Sequence, residues 1–277
     1  MSKGLEPIFQ YLVNPLHPIS ILLVGAGGTG SEVIRHLAKM HGSLIGLGHP
    51  GFFVTVSDPD TIGIENLFRQ PYTPREIGLF KASQLVSRVN ETYGTQWQSA
   101  FYDWEDKDNK KDYNIVISCV DKISVRRTIE KRVYKTNSSQ PYAKGLLWMD
   151  FGNGFDFGQV ILSDTYSLKD KILKNVFDIY PKAIDPAEEP SCSLAMSLGK
   201  QDLFINSIVP DLGMRMLWSI IRKAKIEYNC IFVNLKEAIP VRTALMLKNE
   251  KKESKASTVK PAVRRTKASR KEKVNVH

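Results

Sequence analysis

The six residues Gly25-Ala26-Gly27-Gly28-Thr29-Gly30 carry the strongest chemical signal in the chain. They follow the apolar run Ile21-Leu22-Leu23-Val24 and precede a stretch in which Val33, Ile34 and Leu37 recur at helical spacing. A strand, a glycine turn and a helix start, in that order, make a cradle for phosphate. Glycines let the backbone approach closely, and the helix end offers N–H groups and the positive end of its dipole. Gly25, Gly27, Gly28 and Gly30 are therefore candidate nucleotide-binding positions. Ser31 stands where a Walker loop needs its lysine, which excludes a P-loop NTPase. Asp58 ends the second apolar run, Phe52-Phe53-Val54-Thr55-Val56, and is placed to bond ribose hydroxyls. It lies 28 residues after Gly30, beyond the usual ~20, and a long intervening loop accounts for the excess. Up to this point an NAD-dependent oxidoreductase and an ATP-dependent enzyme fit equally well.

The next segment separates them. Asp58-Pro59-Asp60-Thr61-Ile62-Gly63-Ile64-Glu65-Asn66-Leu67-Phe68-Arg69-Gln70 is followed by Gly78-Leu79-Phe80-Lys81-Ala82. A bridged dinucleotide needs few cations here, whereas a triphosphate with a departing pyrophosphate needs fixed Arg and Lys donors. Arg69 and Lys81 fall on the carboxyl side of the second strand, the face the glycine loop occupies. Farther on, Ser118-Cys119-Val120-Asp121 closes a fourth apolar strand. Read by position alone, this aspartate could be the N-cap of the following helix.

Taken together, these segments resemble the ubiquitin-activating-enzyme-like family of ThiF/MoeB type: a glycine loop, D-x-D-x-I-x-x-x-N-L-x-R-Q, a downstream lysine, then an aspartate after the fourth strand. The likeness covers residues 19–121 in order and continues more weakly through Gly158-Gln159-Val160 to about residue 235. More narrowly, the chain resembles the ThiF-family protein of the PRTRC system. The resemblance implies that Gly25, Gly27, Gly28 and Gly30 cradle phosphates and that Asp58 holds the ribose. It places Asn66, Arg69, Gln70 and Lys81 around the nucleotide, with Arg69 and Lys81 catalytic, and makes Asp121 the ligand of Mg²⁺. It further implies that ATP adenylates the C-terminal glycine carboxylate of a small ubiquitin-like β-grasp protein, with the enzyme working as a homodimer. Some expected features are missing: no arginine precedes Arg35, no paired zinc cysteines occur, and Lys122 follows Asp121 where the family favours asparagine. Cys192, in Glu189-Pro190-Ser191-Cys192-Ser193-Leu194, resembles the family's thioester segment. A helix start would activate its thiol while Glu188 and Glu189 oppose that, so a nucleophile and a packed cysteine both remain open. Cys119 and Cys230 read as structural.

Positioning these groups requires alternating strands and helices. Strands are expected over 19–24, 52–56, around 96–102, 113–119, 144–151, 158–162 and 231–235, with a turn at Gly152-Asn153-Gly154 between the fifth and sixth. Helices are expected over 31–40, 81–93 and 124–134 and through much of 191–223, with a loop over 41–51 and a helical turn or two in the lead-in. That alternation gives an α/β, Rossmann-like, doubly wound fold with a mostly parallel sheet and helices on both faces. Hydrophobic residues at 42% and charged residues at 25% exclude a disordered or fibrous chain. No signal-peptide pattern or membrane-length apolar run is present, and three cysteines make no disulfide framework, so a cytoplasmic protein without membrane attachment is expected. The net charge of +10 is concentrated: residues 248–277 hold eleven Lys/Arg against three Glu. The division expected is an ATP-binding adenylation domain over 1–247 and a basic, disordered tail over 248–277. That tail either solubilises the protein or contacts DNA phosphates without sequence preference. A nucleotide-binding adaptor using such a tail is the alternative to an activating enzyme.

Overall fold

The computed structural model describes residues 5–101, 113–135, 146–165, 171–185, 201–237 and 241–248. Its centre is a sheet of eight strands: β1 (Ile19–Val24), β2 (Phe52–Ser57), β3 (Gln98–Ala100), β4 (Ile115–Ser118), β5 (Leu147–Asn153), β6 (Phe157–Asp164), β7 (Cys230–Asn234) and β8 (Val241–Ala244). They lie in the order β3-β2-β1-β4-β5-β6-β7-β8. The first five run parallel, and β6, β7 and β8 extend the sheet antiparallel. The expected mostly parallel α/β sheet is the one observed.

Alternation along β1 explains the two faces. Ile19, Ile21 and Leu23 point into one core, where α1 (Glu6–Val13), α2 (Gly28–Gly46), α3 (Lys81–Tyr93) and α6 (Ile205–Lys223) pack. Leu22 and Val24 point the other way, toward Ile129 and Val133 of α4 (Ile123–Lys135) and Val176 and Phe177 of the short α5 (Val176–Ile179). Both β4 and β5 are buried throughout their paired length, as a sheet covered on both faces requires.

Three elements differ from the sequence reading. The helix expected over 31–40 runs over Gly28–Gly46 instead. It starts inside the glycine motif and continues through 41–46, because Leu37, Met40 and Leu44 keep one face buried at helical spacing. The turn expected at Gly152-Asn153-Gly154 lies two residues later, over 154–156. Pairing persists to Asn153 opposite Gly158, and the Gly154 N–H closes the turn on the Phe157 carbonyl at 2.8 Å. β8 was not expected at all; its half-exposed residues carry no apolar alternation. Most of the expected helical run over 191–223 is seen as α6, while 186–200 lies outside the described residues.

Candidate nucleotide site

The glycine loop lies at the carboxyl ends of the parallel strands, where the chain order reverses between β2 and β4 on either side of β1. Two of its glycines are dictated by backbone contact. Gly25 has φ +97°, and a Cβ there would lie 2.5 Å from the Cys119 carbonyl oxygen. A Cβ on Gly30 would fall 1.9 Å from the Gly25 oxygen. Gly27 is different: a Cβ would meet nothing nearer than Gln70 Nε2 at 4.0 Å. The first turn of α2 has N–H groups without intrahelical acceptors, and open space lies at its cap Gly27, whereas a Cβ on Gly28 would fall 2.9 Å from Asn206 Cγ.

Ala26 is clamped from both sides. Its N–H donates to Asp58 Oδ2 at 2.5 Å, and its carbonyl accepts from the Tyr72 hydroxyl at 2.6 Å. Asp58 Oδ1 accepts the Asp60 N–H at 2.9 Å, so the buried Asp58 carboxylate fixes the glycine loop to the end of β2. Burial pushes its pKa up, opposed by these backbone bonds and by Lys81. Lys81 opens α3, is buried, and places Nζ 2.8 Å from Asp60 Oδ2. Asp60, whose side chain is 66% exposed, therefore shares this corner with Asp58 and Lys81.

The segment between them is folded tightly. Asn66 ends a single 3-10 turn, Ile64–Asn66, and its Oδ1 accepts the Gly63 N–H at 2.9 Å. Gln70 donates its backbone N–H to the Asn66 carbonyl at 3.0 Å and is buried beside Gly27. Phe68, between them, sits in the left-handed region at φ +62°, a conformation that costs a residue with a Cβ ~1–2 kcal/mol. Arg69 donates to Gln201 Oε1 at 3.3 Å. Burial pushes its pKa down, while the charges of Glu65 and Asp121 oppose the shift. Arg69 and Asp121, from opposite flanks of β1, are thus brought within electrostatic reach.

Asp121 is exposed just after β4. It does not cap α4, because Asp185 does: its carboxylate accepts the Ile123 and Ser124 N–H groups. The helix-cap alternative for Asp121 is therefore set aside. Beneath, Asp150 is locked by Ser118 Oγ at 2.5 Å and Arg126 Nε at 2.9 Å, which ties the ends of β4 and β5 together. Cys192 lies outside the described residues.

Several groups at the site carry no signal in the sequence. Asn153 Nδ2 donates to Thr29 Oγ1 at 2.8 Å and to Asn206 Oδ1 at 3.0 Å. Asn206 Nδ2 donates to Gln201 Oε1 at 2.9 Å, which completes a chain of amides from α2 to Arg69. Tyr72 and Asp60 had at least a positional cue, since both flank the acidic and R-Q motifs. Gly28, Phe68, Arg69, Gln70, Phe204 and Asn206 line a cleft of about 260 Å³.

The ThiF family profile matches residues 5–250. Among curated relatives, the probable molybdopterin-synthase adenylyltransferase of Porphyra purpurea is 25% identical over 250 residues, covering 87% of this chain and 59% of that protein. The adenylyltransferase and sulfurtransferase UBA4 of Scheffersomyces stipitis is 34% identical over 121 residues, covering 40% and 24%. The chain thus spans less than two thirds of the length of these relatives. Among solved structures, E. coli MccB with AMPCPP and MccA has a TM-score of 0.60 at 15% identity, covering 88% of this chain and 67% of that one, a likeness of fold. With the family profile spanning nearly the whole chain and the sheet order and glycine loop in place, the chain belongs to the ThiF family.

Proposed function

We propose that this chain is an ATP-dependent adenylyltransferase that activates the C-terminal carboxylate of a small ubiquitin-like β-grasp protein. The observation that carries the reading is the glycine loop at the carboxyl edge of the parallel strands, clamped to buried Asp58 at 2.5 Å, with the buried Lys81 Nζ close by at 2.8 Å from Asp60. Relatives named adenylyltransferases support it. A carboxylate oxygen of the substrate attacks the α-phosphorus of ATP. The bond from that phosphorus to the bridging oxygen breaks, and pyrophosphate leaves with the electron pair. Gly27, Gly28 and the first turn of α2 hold phosphate oxygens, and Gly25 and Gly30 shape the turn. Arg69 and Lys81 meet the charge that grows on the leaving group; Lys81 exchanges its Asp60 contact for phosphate. Asp58, with Asp60 beside it, serves the ribose, while Asn66 and Gln70 hold the 63–70 turn against the nucleotide.

Among the described residues no group of three or more His, Cys, Asp or Glu side chains gathers around one point. Mg²⁺ does not need one, because it binds through one or two carboxylates, water and substrate phosphates, a set that Asp121 fits. Bound there, the ion would neutralise phosphate charge. For Cys192 the reading is a second step, in which its sulfur attacks the acyl carbon and AMP departs. Asp185 and Gln201, which bound the segment containing it, lie at α4's first turn and against Arg69. A homodimer in the cytoplasm, with residues 1–247 as the catalytic unit and 248–277 as a basic appendage, completes the proposal. Among the described residues no helix is long and apolar enough to cross a membrane. The concentration of charge in the tail favours one second reading, a nucleotide-binding adaptor that touches DNA.

Calorimetric titration with ATP and Mg²⁺, and separately with NAD⁺, tests the nucleotide assignment. ATP should bind saturably, and Asp121→Ala should weaken it by roughly tenfold or more, the scale of one charged contact. Tight NAD⁺ binding that ignores Asp121 would return the chain to the oxidoreductase class.

A further inference from the structure

Asp121 sits outside the sheet, between Ser118, the last residue of β4, and Arg126, near the start of α4. These two flanking residues meet at one atom. Oδ1 of Asp150 accepts the Ser118 hydroxyl at 2.5 Å and Arg126 Nε at 2.9 Å. Arg126 Nη2 reaches on to the Phe151 carbonyl at 2.7 Å, and the Arg126 backbone N–H donates to the Lys122 carbonyl at 3.3 Å. The serine hydroxyl is aimed as well. Trp148 Nε1 can only donate, and it donates to Ser118 Oγ at 2.8 Å, which leaves the Ser118 proton for Asp150. Residues 119–125 therefore form a loop closed at its base by a single carboxylate oxygen, with Asp121 on it.

Joining β4 to β5 does not require such a base. Asp150 is 1% exposed and Arg126 7%, and the desolvation of a buried ion pair largely offsets its attraction, so packed apolar side chains would hold the strands as well. Asp150 Oδ2 makes the arrangement costlier still, being buried without a hydrogen-bond partner among the described residues. The near end of the loop is held by other means: the Cys119 N–H donates to the Val24 carbonyl at 2.8 Å, and the Cys119 carbonyl abuts Gly25. The clasp thus acts on the stretch beyond Cys119, where Asp121 lies.

We propose that Asp150, acting through Ser118 and Arg126, is the positioning residue for Asp121 as a Mg²⁺ ligand, as partners behind a metal ligand set its aim. The proposal rests on the adenylation reading for its metal, and it gives a task to a buried carboxylate which that reading leaves unused. Being enclosed, Asp150 acts only through the two residues that bracket the loop.

The test is calorimetric binding of ATP to the full-length protein, once with Mg²⁺ and once with EDTA, and it reads the ratio of the two affinities. Asp121→Ala should bring that ratio close to 1. Asp150→Ala should lower it by roughly tenfold, the scale on which loss of a metal ligand's supporting partner acts, while the affinity in EDTA stays at the wild-type value. Asp150→Asn keeps an oxygen for both donors and should recover part of the ratio; it also carries the test if Asp150→Ala does not fold. In an Asp121→Ala background the Asp150 substitution should change the ratio no further, because two residues that act through one ligand do not add. A wild-type ratio in the Asp150 variants overturns the proposal. An equal loss of affinity with and without Mg²⁺ also overturns it, as does an Asp150 effect that persists in full without the Asp121 carboxylate; either makes the clasp a strut of the fold. If wild type binds ATP no better with Mg²⁺ than with EDTA, the metal part of the adenylation reading fails and the proposal falls with it.

Discussion

Arg69, half-buried, and Lys81, buried, are both cations with carboxylates nearby before any nucleotide arrives. Burial works against the charge of Arg69 while Glu65 and Asp121 sustain it, and Lys81 is buried against Asp60. A fixed cation in a partly dry site acts on phosphate charge more strongly than one in water. Arg69→Ala and Lys81→Ala should each lower carrier-dependent ATP–pyrophosphate exchange by about 10²–10³-fold, as removal of one preorganised donor does. Wild-type rates in both would remove these residues from the chemistry. The thiols divide as clearly. Burial pushes Cys119 well up, Asp150 adding to the shift and Arg126 opposing it, and burial pushes Cys230 up to about 12. A raised thiol pKa leaves almost no thiolate at neutral pH, so iodoacetamide should spare Cys119 and Cys230 in the native protein. Cys192→Ala should keep exchange and lose any reductant-sensitive adduct with the carrier. An adduct that persists would move the nucleophile to another thiol. At this scale the types and order of the glycines, Asp58, Arg69, Lys81 and Asp121 were legible in the sequence, and the fold brings the glycine loop, Asp58 and Lys81 to one corner. Asn153, Gln201 and Asn206 were not, because an isolated amide has no signature until folding gathers it.

The elements that carry these residues were legible where burial leaves a pattern. β1, β2 and β4 are dense apolar runs, and α3 and α4 keep a helical spacing. The end of α2 was hidden because Gly42 and Gly46 read as loop, although Leu44 continues the buried face. β8 was hidden because an edge strand needs no apolar alternation. The glycines of α2 therefore separate into two kinds. Gly30→Ala would drive a Cβ to 1.9 Å from the Gly25 oxygen, a backbone atom held by its neighbours, so it should destabilise by at least ~1–3 kcal/mol or prevent folding. Gly42 is exposed in the helix interior, and a Cβ there would meet nothing within 4 Å. Gly42→Ala should stabilise by about 0.5–1 kcal/mol, read as a raised melting temperature. If both variants melted alike, the tight packing of the glycine loop would be wrong.

Across the whole molecule, the body and the tail have separate physics. Of the +10 net charge, residues 248–277 carry eleven Lys/Arg against three Glu, so the body is close to neutral. Truncation after Lys248 should leave exchange unchanged, and any DNA affinity of the full chain should fall steeply with salt and vanish in the truncated protein. Loss of exchange on truncation would place the tail in the chemistry. The central claim, that this fold uses ATP to adenylate a protein C-terminus, has one direct measurement. Wild-type protein is given ATP, Mg²⁺, labelled pyrophosphate and, in turn, small β-grasp proteins ending in glycine from the same organism, and return of label into ATP is followed. The account predicts exchange with one such protein, abolished when its terminal carboxylate is blocked by amidation. Exchange that ignores the carboxylate, or none with any of these proteins although ATP binds, would contradict it.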